Sequence, residues 1–276
     1  MKKNLYILLT LILALILCAC NIPSIPNPTQ TSGENITDST GETITEPTIV
    51  TEPETTTAPT ETTAPLHSPL YLAQHDPQQM LEFFNEVVLN MEYTDGTGDA
   101  TLVQKWLAPI YYQYYGKPTD EDKAVLSALF AQLNAIPGFP GIHYTDNPEQ
   151  VTLSLNFLNE KDFNNQFQEV VHGETAWGAT QFWYYTATNE LFQARIGYRT
   201  DIEQATRNSI LIEEIINTLG ISDTVLREDS IVYQYSNDNF ALSDVDWVIV
   251  KLLYNPAIQC GMNATDCAKI IQELYY

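Results

Sequence analysis

The chain predicts an α+β domain, with a mixed sheet of about four strands and a mostly helical C-terminal part. Three observations carry that expectation. Strand-like segments cluster before residue 200: "LAPIYYQYYG" at 107–116, "QVTLSLNFL" at 150–158, and "GATQFWYYTATNELFQARIGY" at 178–198. From residue 201 onward the apolar spacing is helical in three successive segments. No motif recurs at a fixed period, which excludes a repeat array.

Each element has its own local signal. Residues 78–93, "QQMLEFFNEVVLNMEY", space their apolar side chains as a helix does, and "TDGTGD" after them is a turn. The aromatic run at 107–116 reads as a strand. Thr119 opens a helix through "TDEDKAVLSALFAQLNAIPGF", with a hydroxyl cap, acids in the first turn and a Pro-Gly stop. Residues 150–158 alternate apolar and polar, as a strand does. "EKDFNNQFQEVV", 160–171, reads as a short helix or a lid-like insertion. Residues 178–198 read as two strands joined at Thr188-Asn189. A helix from Asp201 to Leu219 ends at Gly220. Another runs through "LSDVDWVIVKLLYNP", capped by Ser243 and stopped by Pro256, and "NATDCAKIIQELYY" is the last.

The N-terminus bears on location. Lys2 and Lys3 precede an apolar run that stops at Cys20, the layout of a secretory signal. The run is short for a membrane-spanning helix. Leu17-Cys18-Ala19-Cys20 resembles a bacterial lipobox. That resemblance implies removal of residues 1–19, acylation of Cys20, and a lipid anchor on the extracytoplasmic face of the cell membrane. The alternative is a plain secretory peptide cut nearby. Residues 20–66 are rich in Thr, Pro and Glu and contain no Lys, Arg or aromatic side chain. Such a segment buries too little apolar surface to offset its ordering entropy and reads as an extended stalk. Residues 67–276 form the globular domain.

The net charge is -23. A nucleic-acid partner is excluded on that ground, and so is peripheral adhesion to an anionic membrane. Of the four cysteines, Cys18 leaves with the signal and Cys20 takes the lipid. Cys260 and Cys267 remain, and outside the cytoplasm an even pair reads as a disulfide closing a small loop. A two-cysteine metal site is the alternative, and no His lies near them in sequence.

One helix carries the candidate site. In "LIEEIINTLGISD", Leu211, Ile212, Ile215, Ile216 and Leu219 form an apolar stripe. Glu213, Glu214 and Asn217 lie off it, and Glu213 stacks on Asn217 at a spacing of four. Gly220 permits a left-handed turn that returns Asp223 towards the same face. This spacing resembles the frame of the metzincin motif H-E-x-x-H-x-x-G-x-x-H, with Glu213 and Asn217 where the two helical histidines would stand. Aligned on Gly220, the metal positions fall on Glu213, Asn217 and Asp223, and the general base on Glu214. An oxygen-only set suits calcium or manganese better than zinc, so the expectation is no cofactor, with a divalent metal other than zinc in its usual geometry as the alternative.

Arg207, "EEIINTLGISD", Ser230-Ile231 and "LLYNPAIQCGM" together resemble the bacterial family called domain of unknown function 2927. The resemblance implies a zincin-like fold, with Met262 as candidate for a methionine turn. It implies no demonstrated activity. Elsewhere the sequence offers less. His67, His75, His143 and His172 do not pair at ligand spacing, and there is no G-x-S-x-G elbow or phosphate-binding glycine loop. Glu213 and Glu214 are neighbours pointing apart, which is not the arrangement of a glycosidase dyad. Trp177, Phe182, Trp183, Tyr184 and Tyr185 read either as sheet-face packing or as a peptide or glycan groove.

The functional expectation is a lipid-anchored surface protein that has lost zinc-peptidase chemistry and binds an extracellular protein, peptide or glycan. The alternative is a divergent metallohydrolase of the peptidase class with Glu214 as base. A purely structural envelope module is the third reading.

Overall fold

The structure, a computed structural model, describes residues 72, 74–89, 101–171 and 176–275, all within the compact unit Glu61–Tyr276. The expectations on Cys18, Cys20, the stalk, His67 and His172 lie outside the described residues. Six α-helices and six strands are described. Helix α1 (Pro77–Phe84) is capped by Asp76, whose side chain accepts from the Gln79 N–H, and continues as a π-helical turn through Leu89. Strands β1 (Lys105–Trp106) and β2 (Ile110–Gly116) precede α2 (Asp120–Asn134). Strands β3 (Ile142–Tyr144) and β4 (Leu153–Leu158) precede α3 (Glu160–Val171). The hairpin β5 (Gly178–Tyr185) and β6 (Glu190–Arg199) leads into α4 (Gln204–Asn217), α5 (Asp244–Leu253) and α6 (Ala264–Tyr275).

The mixed sheet and the helical end match the sequence reading, but the sheet has six strands instead of four. The additional strands, β1 and β3, have two and three residues. Neither is long enough to show a period of two, so neither has a sequence signature. Strand β6 pairs antiparallel with β5 along one edge. Its other edge takes β1 at Glu190–Leu191 and then β4 at Ala194–Arg199, both parallel. Strands β2 and β3 continue the parallel set beyond β4. The order across the sheet is therefore β5-β6-β4-β2-β3. Asn189 closes the hairpin in the left-handed region, at φ 57°.

The two sheet faces carry different loads. Tyr198 points to the main core, where its hydroxyl donates to the Leu211 carbonyl of α4. Gly197, one residue away and so on the other face, lies under Phe163 and Phe167 of α3. Residues 160–171 are thus a packed helix, which settles that segment against an insertion. The main core takes α1, α2, α4, α5 and α6.

Helix α4 is fixed at both ends by long-range polar contacts. Near its start, buried Arg207 donates from Nε to Asp122 Oδ1 at 2.9 Å and from Nη1 to the Thr200 and Ile202 carbonyls. Asp122 also completes the capping box of α2 with Thr119. Burial pushes the Asp122 carboxyl up, but hydrogen bonds from Arg207, Gln204 and the Thr119 N–H outweigh it, and the net direction is down. At the far end, Trp106 Nε1 donates to the Thr218 carbonyl at 2.7 Å and the Tyr254 hydroxyl to that of Leu219 at 3.1 Å. Carbonyls that a helix terminus leaves unpaired are satisfied there by side chains.

Lys105 does the same for α5. Its buried ammonium donates to the carbonyls of Leu253 at 2.8 Å and of Ile258, and burial lowers its pKa. Asp246 ties α5 to the preceding loop, accepting from Ser230 Oγ at 2.5 Å, from the Ile231 N–H, and from Ser243. Burial raises the Asp246 carboxyl despite these bonds. Two of the residues that carry the family resemblance, Arg207 and Ser230, are therefore clamps.

The expected disulfide is absent: Cys260 and Cys267 are free thiols. Cys260 Sγ lies 3.6 Å from the Lys105 carbonyl oxygen, to which it donates, while Cys267 is buried in the core face of α6. Burial raises both thiols, Cys267 to about 11. Sequence proximity said nothing about these orientations. No described helix is long and apolar enough to cross a membrane.

Two outcomes are expected. Asp122→Ala leaves Arg207 buried without its counter-charge and should cost about 3–5 kcal/mol in urea unfolding. The Asp122 contribution in the wild type is complete above the ordinary aspartate value of 3.8 and drains away as pH falls through the lower native value, so Asp122→Ala should flatten the acid limb of the stability curve. Denaturation without reductant, followed by alkylation and mass spectrometry, should label both Cys260 and Cys267.

Candidate functional site

Helix α4 is buried along Ser209–Ile216, and this includes the adjacent acids Glu213 and Glu214. These residues are only 9% and 7% exposed. Two carboxylates on a buried helix need donors, because a charge removed from water is costly unless hydrogen-bonded. Donors reach the two acids from different directions. Thr180 on β5 donates from Oγ1 to Glu214 Oε2 at 2.6 Å. Asn237, in the loop before α5, donates from Nδ2 to Glu213 Oε2 at 3.0 Å.

Glycine makes this arrangement fit at two positions. A Cβ on Gly178 would lie 2.4 Å from Glu214 Oε1 and 2.4 Å from Ile210 Cγ2, so only glycine lets β5 approach α4 this closely. Gly220 has φ +96°, and a Cβ there would sit 2.0 Å from the Gln104 carbonyl oxygen. The left-handed turn expected at the end of the helix is thus present, and it returns the chain. Asp223 Oδ1 accepts from Asn217 Nδ2 at 3.1 Å. That bond fixes the orientation of the amide. Asn217 Oδ1 then faces inward, buried, with no hydrogen-bond partner among the described residues.

Glu213, Glu214, Asn217 and Asp223 all line one cleft of about 620 Å³. Its walls are the first half of β5, the segment 101–104 before β1, the residues following the Gly220 turn, and the loop at 234–237. This volume is in the range of small-ligand and peptide sites. The aromatic cluster divides: Trp177 and Phe182 line the cleft, whereas Trp183, Tyr184 and Tyr185 are exposed further along β5. Tyr235, 70% exposed, stands at the opposite rim. Thr180, Asn237 and Gly178 were not legible as site residues, because nothing local to them distinguishes a cleft wall from an ordinary strand or loop.

Met262 does not line the cleft. Its carbonyl accepts from the Val103 N–H, and its sulfur accepts from the Gln259 N–H. His143 lies exposed on β3 beside Tyr111, and His75 precedes α1. Among the described residues, no three His, Cys, Asp or Glu side chains are grouped to hold a metal ion. The set that remains, Glu213, Asn217 and Asp223, provides oxygen donors only.

Gly178→Ala should force Glu214 and Ile210 aside and destabilise the domain by about 1–3 kcal/mol, read as a lower urea midpoint with an unchanged slope.

No curated protein matches the chain. A family model described as protein of unknown function (DUF2927) matches residues 77–273, which takes in every described strand, α1 to α5, all but the last two residues of α6, and Glu213, Glu214, Asn217 and Asp223. The chain belongs to the DUF2927 family.

Proposed function

We propose that the protein is a membrane-tethered receptor for an extended polypeptide: a zincin-like domain whose cleft has kept its shape and lost its zinc ligands. The observation that carries this reading is the convergence of Glu213, Glu214, Asn217 and Asp223 on one cleft that runs along β5. Among the described strands β5 pairs with β6 alone, and we read its other edge as the place where a further strand adds. An extended peptide that adds to such an edge gains main-chain hydrogen bonds, and the pockets beside it choose side chains. Trp177 and Phe182 supply apolar surface at the same place. The lipobox-like cysteine at position 20 and the Thr/Pro/Glu-rich stalk support a domain held away from the extracytoplasmic face of the membrane.

Peptide hydrolysis is the less favoured reading. Zincin chemistry needs a Lewis acid to lower the pKa of a water and a base to take its proton. Glu214 stands at the base position, but its carboxylate is engaged by Thr180, and the ligand positions hold an acid, an amide and an acid. The buried Asn217 Oδ1 is the one observation in favour of a hard cation, which that oxygen would help to coordinate.

Hydrogen exchange on the full-length protein tests the receptor reading. A mixed-sequence pool of short peptides should slow exchange at the β5 amides from Gly178 to Phe182, and mass spectrometry should recover the peptides intact. Unchanged exchange at β5 would remove the reading. Chelator-sensitive cleavage that disappears in Glu214→Gln would replace it with the hydrolase.

A further inference from the structure

The sheet face that carries α3 has a chemistry of its own, whatever the cleft binds. Helix α3 packs over Ala179 and Gly197, which pair across β5 and β6. Two cross-strand rows on the same face lie beyond that pair. The first runs from β5 to β2 through Gln181, Arg195, Ser154 and Gln113. In the second, Trp183 pairs with Gln193 at one end, and Tyr111 pairs with His143 at the other. All of these residues are half-buried or exposed. The chain has 35 Asp and Glu residues and a net charge of -23, yet neither row includes an acid. A surface that merely meets water has no reason to exclude them. The rows offer rings and groups that donate and accept hydrogen bonds, and several are held in place. Arg195 donates from Nε to Gln181 Oε1 at 2.8 Å and from Nη2 to the Gln166 carbonyl at 3.1 Å, with its guanidinium against the rings of Phe167 and Trp183. The Tyr115 hydroxyl donates to Gln113 Oε1 at 2.8 Å.

We infer that this face binds a neutral glycan chain laid across the strands from Trp183 to Tyr111. The strands that carry these two rings are three spacings apart, about 14–15 Å, which an oligosaccharide of a few units spans. A pyranose ring turns a face of C–H groups to the electron-rich face of an aromatic ring, and its hydroxyls both donate and accept. The amide and hydroxyl side chains between the two rings answer those hydroxyls. Other ligands lack this match. Strands β6 and β4 have neighbours on both sides, so a peptide strand finds no edge to join here. A polyanion is repelled by the field of the whole chain, and a second copy brings the same negative charge.

The test is isothermal titration of the full-length protein with cellohexaose, N-acetylchitohexaose and maltohexaose, and with hexagalacturonate as the anionic comparison. At least one neutral hexasaccharide should bind, with an affinity that stays constant as salt rises, because the ligand carries no charge to screen. Trp183→Ala and Tyr111→Ala should each weaken that binding about three- to tenfold. Tyr184→Ala, next along β5 and so on the opposite face, should leave it as it was. Binding by none of the neutral hexasaccharides would overturn the inference, and so would tighter binding of hexagalacturonate. Loss in Tyr184→Ala with retention in Trp183→Ala would overturn it as well, because the glycan would then lie on the other face. The comparison of neutral with anionic hexasaccharides uses the unaltered chain, so it stands even if a substitution impairs folding.

Discussion

The architecture turns on a single requirement: α4 is enclosed by protein along most of its length and yet carries two consecutive glutamates. Enclosure supplies the apolar contacts that hold the helix in the core, through Leu211, Ile215 and Ile216. The same enclosure removes water from Glu213 and Glu214. The fold meets this by bringing a strand and a loop to the helix, each carrying a donor, and by using glycine where the strand must come closest. The cleft is thus not an accident of surface shape. It is the space left where the two acids had to be reached from outside the helix. Position along the helix axis is set independently. Asp122 holds the start of α4 and Trp106 with Tyr254 hold its end, so the glutamates cannot slide relative to β5.

What was legible in the sequence follows the range of the forces involved. The capping boxes at Thr119 and Ser243 are four-residue signals, and both helices start where those residues say. The glycine turn after α4 was equally readable, because a left-handed turn needs a residue that tolerates it. By contrast, Arg207 was noticed only as part of a pattern. Its partner Asp122 lies 85 residues away, and no local rule joins them. Thr180 and Asn237 are hidden for the same reason. The pairing of Cys260 with Cys267 failed differently: closeness in sequence was used as a proxy for thiol geometry, and the buried placement of Cys267 on α6 defeats that proxy. Strands β1 and β3 are held by their neighbours more than by their own pattern, and no periodicity could reveal them.

The dipeptide Lys105–Trp106 has a mechanical corollary. These two residues terminate α5 and α4 respectively, and the segment just before them, 101–104, is a wall of the cleft. That wall is consequently riveted to two helices and acts as a fixed jaw. Another side is built from the segment between Asn217 and Asp244, which has no helix or strand and is held by the backbone bridge of Thr224 with Tyr233, by Asp246, and by the bonds of Asn239 to the carbonyls of Glu228 and Ser230. The donor that steadies Glu213 therefore belongs to a side braced by separate bonds, whereas the 101–104 side is braced by the ends of two helices.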